Sequence, residues 1–582
     1  MKRKISVCFL PVCLLALFTL AFAYTPDGTE KRPYQTTAQI SDGLYKAVLQ
    51  GKTEVTFWFD SSLYDSIAKN MDDILLKARI VSAGWQFTNR KCTVYGIDAY
   101  PDMIFCSSQQ DIEKAFARGG SEVVLAMDKA LFQSMSANRF AQLYKLEGGA
   151  GILNRSMSYW DKSGVVVYSD IEYADNFVRC ETYEQLKRCI VEYTGKRADA
   201  ITVYASDELY KRIKKSHKDY QDIFSDCAVL NADYYTYDSK NLLSVEEIDY
   251  YPGADVAYAH KNGRTYMLPE PERQLYELAK EIADRIYPEA VKADNYENYV
   301  IEALTREITE CVVYRKNGDY YNDTAVGALL YGRCDCDGYA DTFYLLGSLM
   351  GLDVSFQTGD SRPVNSDSAH MWNLIKINGK WYTHDVTWCD REDKEAPGRI
   401  NMGWCGLGYD LASRYYIWNE NAAVYDISPD SEAFDGVFWY KCESEDAVIR
   451  ALSAGKDRLY LHLNEKLYNS LSANRFRNYY RLEAKAGIQD SMLYSVKNLV
   501  SVYDIVYAPV FAYCETEQDI LNAFSLKSGQ ISVCMSESLY RQVSANNFKL
   551  LYSLESDSGI LKRSMYYYDT KMLFVYNDIE YR

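Results

Sequence analysis

Two apolar periods take turns along the flanks of this chain. Cys106 is followed by Ile112, Ala115 and Phe116, and Cys180 by Leu186, Cys189 and Ile190. The same offsets recur after Cys442, with Val448, Ala451 and Leu452, and after Cys514, with Ile520, Ala523 and Phe524. This spacing puts the apolar residues on one face of a helix. A weaker copy near the start has Ala38 in the cysteine position, then Leu44, Ala47 and Val48. Each helix leads into a short apolar strand, at 55–59, 123–127, 201–204, 459–463 and 531–535. A second helix follows. In three copies it carries Ser-Ala-Asn ahead of a phenylalanine, at 136–140, 472–476 and 544–548. Alternation of period two then marks a β pair, as in 167–173 and 575–581. The pattern predicts five αβαββ repeats of about seventy residues, at 34–102, 103–176, 177–255, 440–509 and 510–582.

Between the third and fourth copies the pattern changes, over 263–436. Leu275, Leu278, Ala279, Ile282 and Ile286 predict one helix, and Ile301, Leu304 and Ile308 a second. Asp335 stands where an N-cap belongs, ahead of a helix from about Cys336 to Met350 with Gly351 as its stop. Phe343, Leu346 and Met350 form its buried stripe. An alternating strand around His370 follows, then the tight-turn pair Asn378-Gly379 and a returning strand over 381–388. Such a hairpin brings Asp385 beside His370 and turns His384 to the opposite sheet face.

Composition narrows the classes. The chain has 582 residues, enough for several domains, and a formal net charge of −17. That acidity argues against a nucleic-acid partner. Residues 1–23 read as a secretory signal: Lys2-Arg3-Lys4, an apolar run from Ile5 to Leu20, then Ala21-Phe22-Ala23. They predict a secreted or cell-surface protein with no membrane span after cleavage. Of 15 cysteines, Cys8 and Cys13 fall within the signal, and the odd remainder implies at least one free thiol. The cysteines that lead the repeats read as small buried packing residues. The 53 tyrosines read as rigid amphipathic packing. The repeats hold no His/Cys cluster at metal spacing and no glycine-rich phosphate loop, and no acidic loop dedicated to calcium is seen, so no cofactor and no metal is expected.

The chemistry lies in the order Cys336, His370, Asp385. A thiol nucleophile, a base and an orienting carboxylate are what acyl transfer needs. A thiol in a first helical turn faces the positive helix end, which favours thiolate. Asp335, Asp337 and Asp341 oppose this, and Arg333 offsets part of the acid. An imidazolium in contact would outweigh them. The Cys336 backbone N–H is one candidate oxyanion donor.

These motifs resemble the transglutaminase-like superfamily. Cys336-Asp337-Gly338-Tyr339-Ala340 resembles its nucleophile motif, with Thr324–Leu329 resembling the segment that leads in. Ala369-His370-Met371-Trp372-Asn373 resembles its histidine motif. Gly379-Lys380-Trp381-Tyr382 with Asp385-Val386-Thr387-Trp388 resembles its aspartate motif. The resemblance implies a papain-like α+β core in which Cys336 attacks an amide, His370 is the base and Asp385 orients it. It implies a protein or peptide substrate and, for an exported member, hydrolysis by a peptidase or amidohydrolase. A cross-linking transglutaminase is the alternative. A third reading, of another class, is a non-catalytic surface binding protein whose repeats are ligand modules. Two cysteines depart from the motifs. Cys334 is either an unpaired neighbour of Cys336 or its partner in a strained disulfide, and Cys389 has Cys405 as a candidate partner.

Overall fold

The structure is a computed structural model that describes residues 26–316, 318–362, 368–390 and 400–582. The signal read at 1–23 lies outside the described residues. The fold is α+β with many small sheets, and no helix among the described residues is long and apolar enough to cross a membrane. The chain divides into two units. Of the described residues, one comprises 26–182 with 200–210 and 234–245; the other comprises 183–199, 211–233 and those from 246 to 582. The division runs through residues 177–255, the span that the sequence pattern predicts as a third copy.

In the first unit, strand Val123–Met127 lies between the short parallel strand Ile104–Cys106 and the antiparallel strand Val165–Tyr173, which pairs with Ile152–Trp160. Helices Gln109–Phe116 and Lys129–Gly149 cover it, and Ile112, Phe116, Leu125, Met135 and Tyr168 form its core. The same unit holds a three-stranded sheet of Glu54–Trp58, Lys91–Ala99 and Ile80–Thr88. In the second unit, the sheets built on Leu459–Leu463 and on Ile531–Met535 repeat the four-stranded order.

Each four-stranded sheet therefore adds a strand that the sequence pattern does not show. It precedes the first helix and is three or four residues long, too short to display a period. Cys106, Cys442 and Cys514 close these strands and are buried. The shared Ser-Ala-Asn is also resolved. Asn138, Arg139 and Phe140 have φ of 50°, 57° and 64°, and Asn474–Phe476 and Asn546–Phe548 repeat these values closely. The second helix is interrupted there by a left-handed turn, which asparagine tolerates better than most residues.

One polar device recurs between neighbouring copies. Glu147 is fully buried, accepts from Tyr168 and Arg155, and meets Lys240 Nζ at 3.2 Å. In the second unit Glu483, also fully buried, meets Lys571 Nζ at 3.0 Å. Each lysine also donates to backbone carbonyls of the preceding copy, Lys240 to Ile152 and Leu153 and Lys571 to Gln489.

The centre of the second unit holds helices α1 (His217–Asp226), α2 (Pro252–Lys261), α3 (Glu272–Ala290), α4 (Tyr296–Cys311), α5 (Ala325–Tyr331) and α6 (Cys336–Leu349). They accompany a five-stranded sheet: β1 (Val354–Ser361), β2 (Ala369–Ile377), β3 (Lys380–His384), β4 (Cys405–Leu407) and β5 (Tyr416–Trp418). Its order is β4-β3-β2-β1-β5, antiparallel throughout. Phe343, Leu346, Trp372, Ile375 and Tyr382 lie in one core, which continues to Tyr460, Leu499 and Tyr503 of the following sheet. Asp341, buried in mid α6, accepts the N–H groups of Gly253 and Ala254 at the start of α2 and of Ala325 at the start of α5. One carboxylate thus satisfies orphan donors of two helix ends. Its role is structural: its hydrogen bonds go to these backbone groups, while the Cys336 thiol donates to Asp337.

Candidate active site

Cys336 is the first residue of α6. Asp335 caps the helix, accepting from the N–H groups of Asp337 at 3.1 Å and Gly338 at 3.4 Å. A Cβ on Gly338 would come within 2.4 Å of Cys334 Cβ, so only glycine lets this turn close. The next strand pair delivers the histidine. Asn378 and Gly379 have φ of 51° and 79°, as a tight hairpin turn requires. They set the register that pairs Asn373 with His384.

The periodicity carries the returning strand to residue 388, but the strand ends at His384. Asp385 is instead the N-cap of a short helix, α7 (Val386–Cys389), because its Oδ1 accepts the Trp388 N–H at 3.0 Å. Its Oδ2 accepts from His370 Nε2 at 2.7 Å and from the Tyr416 hydroxyl at 2.8 Å. Asp385 is fully buried, and the His370 side chain is 7% exposed. With Nε2–H committed to the carboxylate, Nδ1 is the nitrogen left to take a proton. Trp388 and Tyr416 stack near the ring, at 5.8 and 6.3 Å between centroids. His384 faces the other way. It is buried against Phe343, its Nε2 lies 3.1 Å from Thr305 Oγ1, and burial pulls its pKa down to about 3.

The thiol differs from the sequence expectation. Cys336 Sγ donates to Asp337 Oδ1 at 3.2 Å, and Asp337 Oδ2 accepts from the Tyr251 hydroxyl at 3.1 Å. Among the described residues no hydrogen bond joins Cys336 to His370. Burial raises the thiol pKa well above its usual value. Asp337 and Asp335 add to the rise, and the Met371 backbone N–H opposes it. The acids therefore win over the helix end, since Asp337 is a whole charge in contact and the helix end a partial one. In this structure the thiol rests protonated on a carboxylate.

Cys334 and Cys336 are separate thiols in this structure, as are Cys389 and Cys405. Asp335, Cys336 and Asp337 bring three donor atoms within 4.8 Å of one another, the one metal-capable group among the described residues. Two of the three already serve the helix cap and the thiol hydrogen bond.

Two cavities meet at the histidine. One, of about 550 Å³, is lined by Asp222, Tyr251, Asp337, Met371 and Trp418 together with Ala369 and His370. The other, of about 390 Å³, is lined by Tyr314, Ser361, Thr387 and Trp388, again with Ala369 and His370. An extended chain crossing His370 would have room on both sides. Tyr416 escaped the sequence reading. It sits in a three-residue strand 31 residues beyond Asp385, with no local signal to tie the two.

Residues 278–386 match the profile of the Transglutaminase-like superfamily. That span contains Cys336, His370 and Asp385. No curated protein matches the chain. Among solved structures, one similar chain is named a candidate cysteine protease from Cytophaga hutchinsonii. It is 16% identical over 27% of this chain and 61% of its own, with a TM-score of 0.18. Another is a TGase, 12% identical over 37% of this chain and 61% of its own, also with a TM-score of 0.18. This chain thus spans less than two thirds of each of those two structures.

Proposed function

We propose that the protein is an exported cysteine enzyme that hydrolyses amide bonds of a protein or peptide, with Cys336, His370 and Asp385 as its catalytic triad. The observation that carries this reading is the His370–Asp385–Tyr416 chain of hydrogen bonds, with the imidazole lining two cavities and Asp337, the neighbour of Cys336 on α6, lining the larger one. Asp385 and Tyr416 hold the ring and its tautomer, so the base is pre-oriented. The thiol begins neutral. As Cys336 Sγ bonds to the amide carbon, its proton passes to His370 Nδ1. That proton then leaves with the departing amine, and a thioester remains. Water, deprotonated by His370, then adds to the thioester carbon; the C–S bond breaks, the acid leaves and the proton on His370 returns to Cys336 Sγ. The Cys336 N–H, not used by the Asp335 side-chain cap, supports a role as oxyanion donor.

The repeats at 34–102, 103–176, 177–255, 440–509 and 510–582 serve as modules that space or present this domain. The shared strand order and the recurring buried lysine–glutamate contact support that division. The reading of an export signal at 1–23 rests on sequence alone.

Hydrolysis and transfer part in one assay. The full-length protein is incubated with a glutamine-bearing protein and a fluorescent primary amine, while new carboxyl termini are followed by mass spectrometry. Hydrolysis predicts new termini with little amine incorporated. Dominant amine incorporation would favour the cross-linking reading. Neither product, with ligand binding that survives Cys336→Ala, would favour the non-catalytic one.

A further inference from the structure

The larger cavity beside His370 has a wall that the sequence assigns to the third repeat. Helix α1 forms it, within the same unit as the triad. Asp226, at the end of α1, is buried and docks the helix on β1. It accepts the Thr358 N–H at 2.9 Å, the Thr358 hydroxyl at 3.0 Å and Gln357 Nε2 at 3.0 Å. The far end is tied as firmly: Asn419, just after β5, donates to Asp219 at 2.6 Å and to Asp222 at 3.1 Å.

The cavity so enclosed is short of positive charge. Asp219 and Asp222 face it from α1, Asp360 from the end of β1 and Asp337 from the start of α6. Against these four carboxyls stand, among the described residues, His370 and a single lysine, Lys218, which is exposed. Burial, then Asp219 and Asp360, push the Asp222 carboxyl up, while Asn419 and Lys218 oppose. Asn419 supplies donors but no charge, so the crowding is only partly relieved. The same lining carries the apolar side chains of Met371, Ile417 and Trp418. A lining that combines carboxyls with apolar surface suits a long side chain that carries a cation at its tip.

We propose that this cavity receives a lysine or arginine side chain of the peptide substrate, and that Asp219 and Asp222 select it. The inference rests on the reading of Cys336 as the nucleophile beside His370. It makes α1 a specificity wall contributed by a repeat.

The test uses the full-length protein and three peptidyl vinyl sulfones that differ at one residue: lysine, glutamine or glutamate. Each reacts by adding the thiol sulfur across its double bond, and the thiol proton ends on the carbon beside the sulfone. Adducts on Cys336 are timed by mass spectrometry and normalised to iodoacetamide labelling of the same residue. The lysine probe is expected to react at least tenfold faster than the glutamate probe. That ratio should collapse below threefold in Asp222→Asn and in Asp219→Asn, and return in Asp222→Glu. Thermal melts check that each variant is folded. Labelling of Cys336 with a ratio near one, or favouring glutamate, would overturn the inference while leaving the catalytic reading intact. A tenfold ratio that survives both asparagine variants would overturn the assignment to α1. If no probe labels Cys336 faster than the exposed Cys311, the nucleophile reading fails and takes the inference with it.

Discussion

The Cys336 thiol donates to Asp337 Oδ1 at 3.2 Å, so the candidate nucleophile rests on a carboxylate and not on the imidazole. Asp337 both accepts the proton and repels the thiolate. A full charge at such range is worth about 5 kcal/mol at an effective dielectric of about 20. Asp337→Asn removes the charge and should speed iodoacetamide alkylation of Cys336 at pH 7 by about tenfold or more. In the native protein the rate should keep climbing as pH rises through 7 and 8, because the thiol pKa is raised. An unchanged rate in the variant would show that burial alone restrains the thiol.

Tyr416 donates to the same Asp385 oxygen that His370 does. Burial and the Asp385 charge push the Tyr416 phenol up, so it stays a donor across the working range. A hydrogen bond to a charged group contributes about 1.5–3 kcal/mol. Tyr416→Phe should therefore lower kcat about tenfold or more with KM little changed. Asp385→Asn should cost far more, about 10⁴ in kcat by analogy with other triads, because the imidazole tautomer is lost. Equal losses from both variants would contradict this order.

Glu483 and Lys571 form a buried pair between neighbouring sheets. Removing one partner strands the other without water. Lys571→Met should cost about 3–5 kcal/mol of stability in denaturant unfolding, whereas Glu483→Leu/Lys571→Met together should recover most of it. A double variant no better than the single would assign the loss to packing.

Two buried histidines make the fold acid-sensitive. His384 and His462 are both pulled down to about 3 by burial. His462 lies 3.0 Å from the Tyr415 hydroxyl and 2.8 Å from the Gly403 carbonyl. In the unfolded chain each titrates near the usual value of about 6.5. Between those values only the unfolded state binds the proton. Stability is therefore full above about pH 6.5 and falls as pH drops towards 3, by about 1.4 kcal/mol per pH unit for each histidine. His384→Gln/His462→Gln should flatten the pH dependence of thermal unfolding in that window. A slope as steep as that of the native protein would place the acid sensitivity in the carboxylates.

The hairpin of the site was legible because its signals are local. Asn378-Gly379 sets the turn, the turn sets the register, and the register brings Asp385 to His370. Asp335 likewise announces the start of α6 by its capping chemistry. What stayed hidden depends on distant partners or short pieces. Tyr416 lies in a strand too short for a period. The resting place of the thiol depends on Asp337, which Tyr251 holds from 86 positions away in sequence. The role of α1 as a wall needs Asp226 docked on Thr358, a contact across 132 positions of sequence. The strands ending at Cys106, Cys442 and Cys514 were invisible for the same reason of length.

The most direct test asks whether the triad breaks amide bonds. The full-length protein, Cys336→Ala and His370→Ala are each incubated with a defined peptide pool in ¹⁸O-labelled water, and new C-termini are read by mass spectrometry. The account predicts termini carrying one ¹⁸O atom from the native protein and none from either variant. Labelled termini at equal rates from either variant, or none from the native protein, would contradict it.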